Sequence, residues 1–169
     1  MGTPLRKRDH RPSARIVVLD GDGRVLLFRV ADPLDNKPPV WITPGGGVEA
    51  GESISEAASR ELKEETGLIA SPADLGHPVA VGRREWEFRG TRLYSEDWYF
   101  ALRTTAFEPD DTNWTDLERG LHRGWQWWTN LALESTVEVV IPAGLADLAR
   151  TLCSGEASAE PAVLPWTSV

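Results

Sequence analysis

Three glutamates, Glu61, Glu64 and Glu65, fall within the short run RELKEETG, residues 60–67. Carboxylates at this spacing are suited to holding a divalent cation. Each helical residue advances about 100°, so Glu65 lies roughly 40° from Glu61, and Glu64 roughly 60° to the other side. The acids therefore share one face. Like charges three and four residues apart destabilise an isolated helix by about a few tenths of a kcal/mol per pair, and acids in the last turn oppose the helix dipole. A run that breaks two local rules while its neighbours obey them points to function. A cation such as Mg²⁺ removes the conflict, since it takes oxygen ligands from one or two carboxylates, water and substrate phosphates. Read alone, the run also fits a solvated acidic face, because glutamate is a good helix former. Two neighbouring features favour the metal platform: the glycine run Gly45, Gly46 and Gly47, which lets backbone approach a ligand closely, and Arg60, which can orient a carboxylate.

The elements that must carry these residues follow from the pattern around them. Ser53 and Glu56 have the spacing of a capping box, which starts the helix near Ser53, and Gly67 is suited to end it. Upstream, SARIVVLDGDGRVLLFRV predicts a hairpin with strands at 16–19 and 25–30. ADPLDNKPP predicts a loop, VWITP a short strand, and the three glycines a further loop. Downstream, PVAVGRREWEF and RLYSEDWYFALRTTAF predict strands around a turn at Arg89 to Thr91. The polar stretch EPDDTNWTDLERG separates these from another strand in HRGWQWWT. A helix from about Ser135 to Leu152 should close the domain, interrupted or restarted near Pro142. The chain then divides into a basic tail at 1–12, one domain at 13–152 and a weakly ordered tail at 153–169, with Leu164 and Trp166 as possible docking points. Irregularly alternating strands and helices indicate an α/β layered sheet.

Residues 46–68 resemble the signature box of the Nudix hydrolases. The box runs glycine, five residues, glutamate, seven residues, arginine–glutamate, an aliphatic, any residue, glutamate–glutamate, any residue, glycine, an aliphatic. Gly46, Glu52, Arg60, Glu61, Leu62, Glu64, Glu65, Gly67 and Leu68 match every specified position, and Trp41 to Gly46 supply a Trp-x-x-Pro-Gly-Gly lead-in. The resemblance implies an α/β/α sandwich with a mixed, partly antiparallel β-sheet. It also implies a Mg²⁺- or Mn²⁺-dependent pyrophosphohydrolase that cleaves a nucleoside diphosphate linked to another moiety: an NTP, a nucleotide sugar, ADP-ribose or a dinucleoside polyphosphate. Glu61, Glu64 and Glu65 would bind metal, with the Gly45 carbonyl as a further ligand. Arg60 would fix a glutamate of the site, and Glu52 is open to three roles: cap, partner of Arg60, or outer metal shell. Glu64 or Glu61 is favoured as general base, with Glu96 as the candidate outside the box among the later acids Glu85, Glu87, Glu96 and Asp97. Trp86, Trp98 and Tyr99 are candidates for stacking a base, and Arg83, Arg84 and Arg92 for phosphate contacts. His10, His77 and His122 show no ligand spacing and read as surface or loop residues.

Composition narrows the classes. A formal charge of −8 argues against a nucleic-acid polymer as the main partner and leaves small anions reached through a cation. The single cysteine, Cys153, cannot form an internal bridge, and no apolar run approaches a membrane span or a secretory signal, so a cytoplasmic protein is expected. A homodimer is compatible with the resemblance, although no residue marks an interface. An alternative is a non-catalytic nucleotide-sensing Nudix domain, but such domains tend to lose the box acids. An isoprenoid-diphosphate isomerase would need a cysteine near the site, and Cys153 lies in or after the final helix.

Overall fold

A computed structural model of the protein describes residues 12–156 and 158–168. The expected basic tail, apart from Pro12, lies outside them, as does His10. The strands are β1 (Ser13–Leu19), β2 (Val25–Val30), β3 (Val40–Ile42), β4 (Gly45–Gly47), β5 (Ala80–Phe88), β6 (Thr91–Arg103), β7 (His122–Trp128), β8 (Val139–Ile141), β9 (Ala162–Val163) and β10 (Thr167–Ser168). The helices are α1 (Ile54–Thr66), α2 (Pro72–Leu75), α3 (Asp116–Leu121), α4 (Asn130–Ser135) and α5 (Leu145–Ser154).

Sheet order is β10-β5-β6-β1-β2-β3-β8, with β4 on β1, β7 on β2 and β9 on β5. The pairing is mixed: β1 runs parallel to β6, whereas β5–β6 and β1–β2 are antiparallel. Strand β1 sets the geometry. One edge meets β6 along its whole length, while the other meets β2 at Leu19 and β4 at Ser13 to Arg15. Alternation along β1 sends Ala14, Ile16 and Val18 into one core with Ala57, Ala58 and Leu62 of α1, and Val17 and Leu19 into another with Leu145, Leu148 and Leu152 of α5. The result is the expected α/β/α sandwich with a mixed sheet.

Helix α1 begins and ends as its sequence dictates. Ser53 Oγ accepts from Glu56 N at 3.2 Å, Glu56 Oε2 accepts from Ser53 N at 2.8 Å, and Gly67 turns left-handed at φ 77°.

Several expectations are corrected. The three glycines form β4 rather than a loop. Gly45 adopts φ 129°, and a Cβ there would lie 2.1 Å from the Ala14 carbonyl oxygen, so an approach that only glycine permits gives a ladder and not a break. The closing helix restarts beyond Pro142 as expected, but the stretch from Thr136 to Pro142 is not helical. The β-branched run Val139–Val140–Ile141 pairs parallel with β3, and the helix starts afresh at Leu145, beyond Pro142. The polar stretch before β7 contains α3, capped by Thr115. The segment read as a weakly ordered tail carries β9 and β10, both parallel to β5, and Leu164 packs against the α5-side core.

Candidate metal centre and its cavity

The face of α1 that carries acids turns toward β4. Glu65 is buried, and its Oε2 accepts from Gly45 N at 2.7 Å. Glu61 is also buried and lies against Gly46, where a Cβ would come within 2.5 Å of its Oε1. Glycine at 46 is therefore what gives the Glu61 carboxylate its room. Glu118 of α3 completes the group: one oxygen from each of Glu61, Glu65 and Glu118 falls within 4.8 Å of the others.

Arg60 organises the rest of the box. Its Nε and Nη2 take the two oxygens of Glu52 at 2.9 and 3.0 Å, Nη1 donates to Glu61 at 2.8 Å and to Glu64 at 3.1 Å, and Nη2 also reaches the Gly47 carbonyl at 3.1 Å. The fork to Glu52 holds that carboxyl below the ordinary range and Arg60 above its own. Glu52 also accepts from Glu49 N at 3.0 Å, so it braces both the turn before the helix and the arginine. The Glu64 side chain stays 44% exposed and lines a shallow hollow with Arg60, Lys63 and Asn113, beside the trio and not inside it.

Burial shapes the electrostatics. Glu65 is pushed up to about 8, chiefly by loss of solvent, against opposing help from Arg15 and the Gly45 amide. Glu61 is raised for the same leading reason, although Arg60 pulls the other way. Carboxylates this close and this dry must either hold protons or share a cation. Their donor set is all oxygen, which fits Mg²⁺ or Mn²⁺. Gly45 meets the trio through its amide, while its carbonyl accepts from Arg15 Nη1 at 2.6 Å.

Glu65 and Glu118 open into a cavity of about 410 Å³ walled by Phe28, Trp86, Leu93 and His122, with Arg15 and Arg84 on its side. Of the aromatic candidates, the structure brings Trp86 to this cavity. Tyr99 is 1% exposed within the core, and Trp98 lines a separate hollow with Arg83, Glu96 and Trp166. Glu96 pairs with Arg83 at 3.4 Å there, away from the acid trio, and Arg92 pairs with Glu85 at 3.2 Å.

His122 is not a surface residue. Its ring lies 4.1 Å from that of Trp114 and 5.0 Å from that of Phe28, and burial drives its pKa down to about 4.

Sequence reasoning missed Glu118 and Arg15, while Asp97, one of the acids considered for the base, lies in the sheet beside Arg84. The Thr115-to-Glu118 capping spacing was visible and would have exposed α3. What brings Glu118 to the trio is tertiary: Trp114 Nε1 donates to the Glu65 carbonyl at 3.0 Å, and Asp110 N to that of Thr66 at 3.1 Å, so the loop folds over the open end of α1.

Comparison with known proteins places the chain and its fold. The NUDIX domain profile matches residues 9–145. An RNA pyrophosphohydrolase from Caulobacter vibrioides (strain NA1000 / CB15N) is 34% identical over 152 residues, covering 83% of this chain and 82% of that protein. Among solved structures, the MutT protein from Methanosarcina mazei Go1 aligns with a TM-score of 0.61 at 20% identity, over 90% of this chain and 98% of that one. A C. elegans Ap4A hydrolase binary complex aligns at 0.56 and 22%, over 86% and 97%. These structural likenesses speak to the fold, and the profile and sequence matches to kinship: the chain belongs to the Nudix hydrolase family.

Proposed function

We propose that this protein is a divalent-metal-dependent pyrophosphohydrolase of a small nucleoside diphosphate derivative. One observation carries the reading: the oxygens of Glu61, Glu65 and Glu118 converge within 4.8 Å, and two of these acids open into a cavity with an aromatic wall. In this reading Glu61, Glu65 and Glu118 hold Mg²⁺ or Mn²⁺, and Arg60, braced by Glu52, fixes Glu61. The bound ion supplies charge neutralisation for the diphosphate and lowers the pKa of a water. Glu64, half exposed and hydrogen-bonded to Arg60, has the solvent contact that a proton acceptor needs, and it is our candidate for the general base. The carbonyl of Gly45 is a weaker metal-ligand candidate, because it already accepts from Arg15.

The relative from Caulobacter is named for RNA, but two features of this chain favour a small nucleotide. The net charge is −8, and Asp32, Asp35 and Glu87 lie around the cavity, so a polyanion extending from it would meet like charge.

The test is product release from nucleoside triphosphates, nucleotide sugars, ADP-ribose, dinucleoside polyphosphates and 5′-triphosphorylated RNA, with Mg²⁺ or Mn²⁺, alongside Glu65→Gln. Metal-dependent turnover of a small nucleotide, reduced at least about 100-fold in the variant, is expected. Preference for the RNA would overturn the substrate class. Saturable binding without turnover of any member would favour a nucleotide-sensing domain instead.

A further inference from the structure

The cavity wall holds two guanidiniums that the metal chemistry does not use. Arg15 of β1 and Arg84 of β5 lie on the same sheet face. Arg15 is opposite Tyr99 on β6, Arg84 is opposite Ser95, and alternate residues of a strand share a side. On this face the row that forms core deeper in the sheet gives way, toward the start of β1, to Ser13, Arg15, Arg84, Asp97 and Trp86. Burying two arginines side by side is costly unless anions meet them.

The acids present meet them only in part. Asp97 Oδ1 is taken by the hydroxyls of Ser13 at 2.5 Å and Ser95 at 2.6 Å. Its Oδ2 is 3.3 Å from Arg84 Nε, close enough to attract but misaligned for a hydrogen bond. Arg84, with a side chain 10% exposed, also packs 4.1 Å from the centre of the Trp86 ring. Arg15 spends Nη1 on the carbonyls of Thr43 and Gly45. Both Nε atoms are buried without a hydrogen-bond partner. Two guanidiniums that line one largely apolar cavity, with a single imperfectly aligned carboxylate behind them, describe half of an anion site.

We propose that Arg15 and Arg84 form a phosphate subsite of the cavity, independent of metal, which takes the phosphoryl group of a nucleoside monophosphate unit while its base lies along Trp86. This deepens, and in its catalytic meaning rests on, the pyrophosphohydrolase reading: the metal would hold the diphosphate on the acid side, and the arginines would hold it on the nucleoside side. Asp97 is then a positioning residue that keeps Arg84 in place from behind.

The experiment is calorimetric titration of the full chain in EDTA with AMP, GMP, CMP and UMP, with the matching nucleosides and with inorganic phosphate. At least one monophosphate is expected to bind about tenfold or more tightly than its nucleoside. Arg84→Lys and Arg15→Lys should each remove most of that difference, and Arg15→Lys, which spares the packing of Arg84 on Trp86, should leave nucleoside binding unchanged. Lysine keeps the charge that Asp97 needs but cannot reproduce the fork, and thermal melts verify that both variants fold. Equal binding of monophosphate and nucleoside, or lysine variants that retain the difference, overturns the subsite. Metal-dependent turnover without this difference leaves the hydrolase standing and removes the subsite. The difference without turnover keeps the subsite and removes the hydrolase.

Discussion

At the scale of single residues, the site depends on a side chain that is missing. Gly46 is less a flexible joint than a space, because its absent Cβ is where the Glu61 carboxylate lies. Gly46→Ala would press on the far end of a long side chain, which swings aside at little cost to the fold. Displacing a reacting-site group by about 1 Å can still cost about 100-fold in rate. The expected outcome is a melting temperature within about 2 °C of the parent and turnover down by about two orders of magnitude. Turnover within a few-fold of the parent would show that the Glu61 position is not critical. The box acids, Arg60 and Gly46 were all legible in the sequence, since their types and spacing carry the chemistry directly. The contacts of Glu61 and Glu64 with Arg60 likewise follow from neighbouring positions on one helix. Arg84 was legible as a candidate for phosphate contact, but Glu118 and Arg15 were not legible as site residues, because a folded-back loop and sheet register bring them there from distant parts of the chain.

At the scale of elements, the local signals held where they were self-contained and failed where pairing decided. The capping box of α1 and its glycine stop needed nothing beyond their own neighbours. β4, β8, β9 and β10 have two or three residues each, and such short pieces become strands only because an edge waits for them. The last two cover one side of β5, the strand that carries Arg84 and Trp86 into the cavity. Ala162 and Leu164 donate to the carbonyls of Val79 and Val81, both at 2.9 Å, and Thr167 lies opposite Arg84. Thr167 Oγ1 also accepts from Ala143 N at 3.2 Å, which ties this strap to the turn before α5. A chain ending at Glu160 would leave that side of β5 unpaired. Truncation should lower the melting temperature and raise KM several-fold more than it lowers kcat, as expected when a binding wall loosens while the acid trio stays intact. An unchanged KM would mean that β5 holds its place without the strap.

At the scale of the whole molecule, His122 links the cavity to global stability. Among the described residues no helix is long and apolar enough to cross a membrane. His122 packs between Phe28 of β2 and Trp114 of the loop over α1, with Nδ1 buried and unpartnered. Burial is the leading cause that lowers its pKa from 6.5 to about 4; nearby Glu118 opposes the shift, and the Arg123 and Arg15 charges add to it. Between those values the unfolded chain takes up a proton that the native protein refuses. Acid therefore favours unfolding, and the penalty grows as pH falls from about 6.5 toward about 4. His122→Phe keeps a flat ring against both aromatics and cannot take the proton. Urea titrations across that window should show the parent losing stability faster than the variant as pH drops, with the two curves running parallel above pH 7. Carboxylates titrate in both proteins and cancel in the difference. Parallel curves throughout the window would mean that His122 is protonated in the native state, which requires the Phe28–His122–Trp114 stack, and with it the loop that carries Glu118, to open to water in solution.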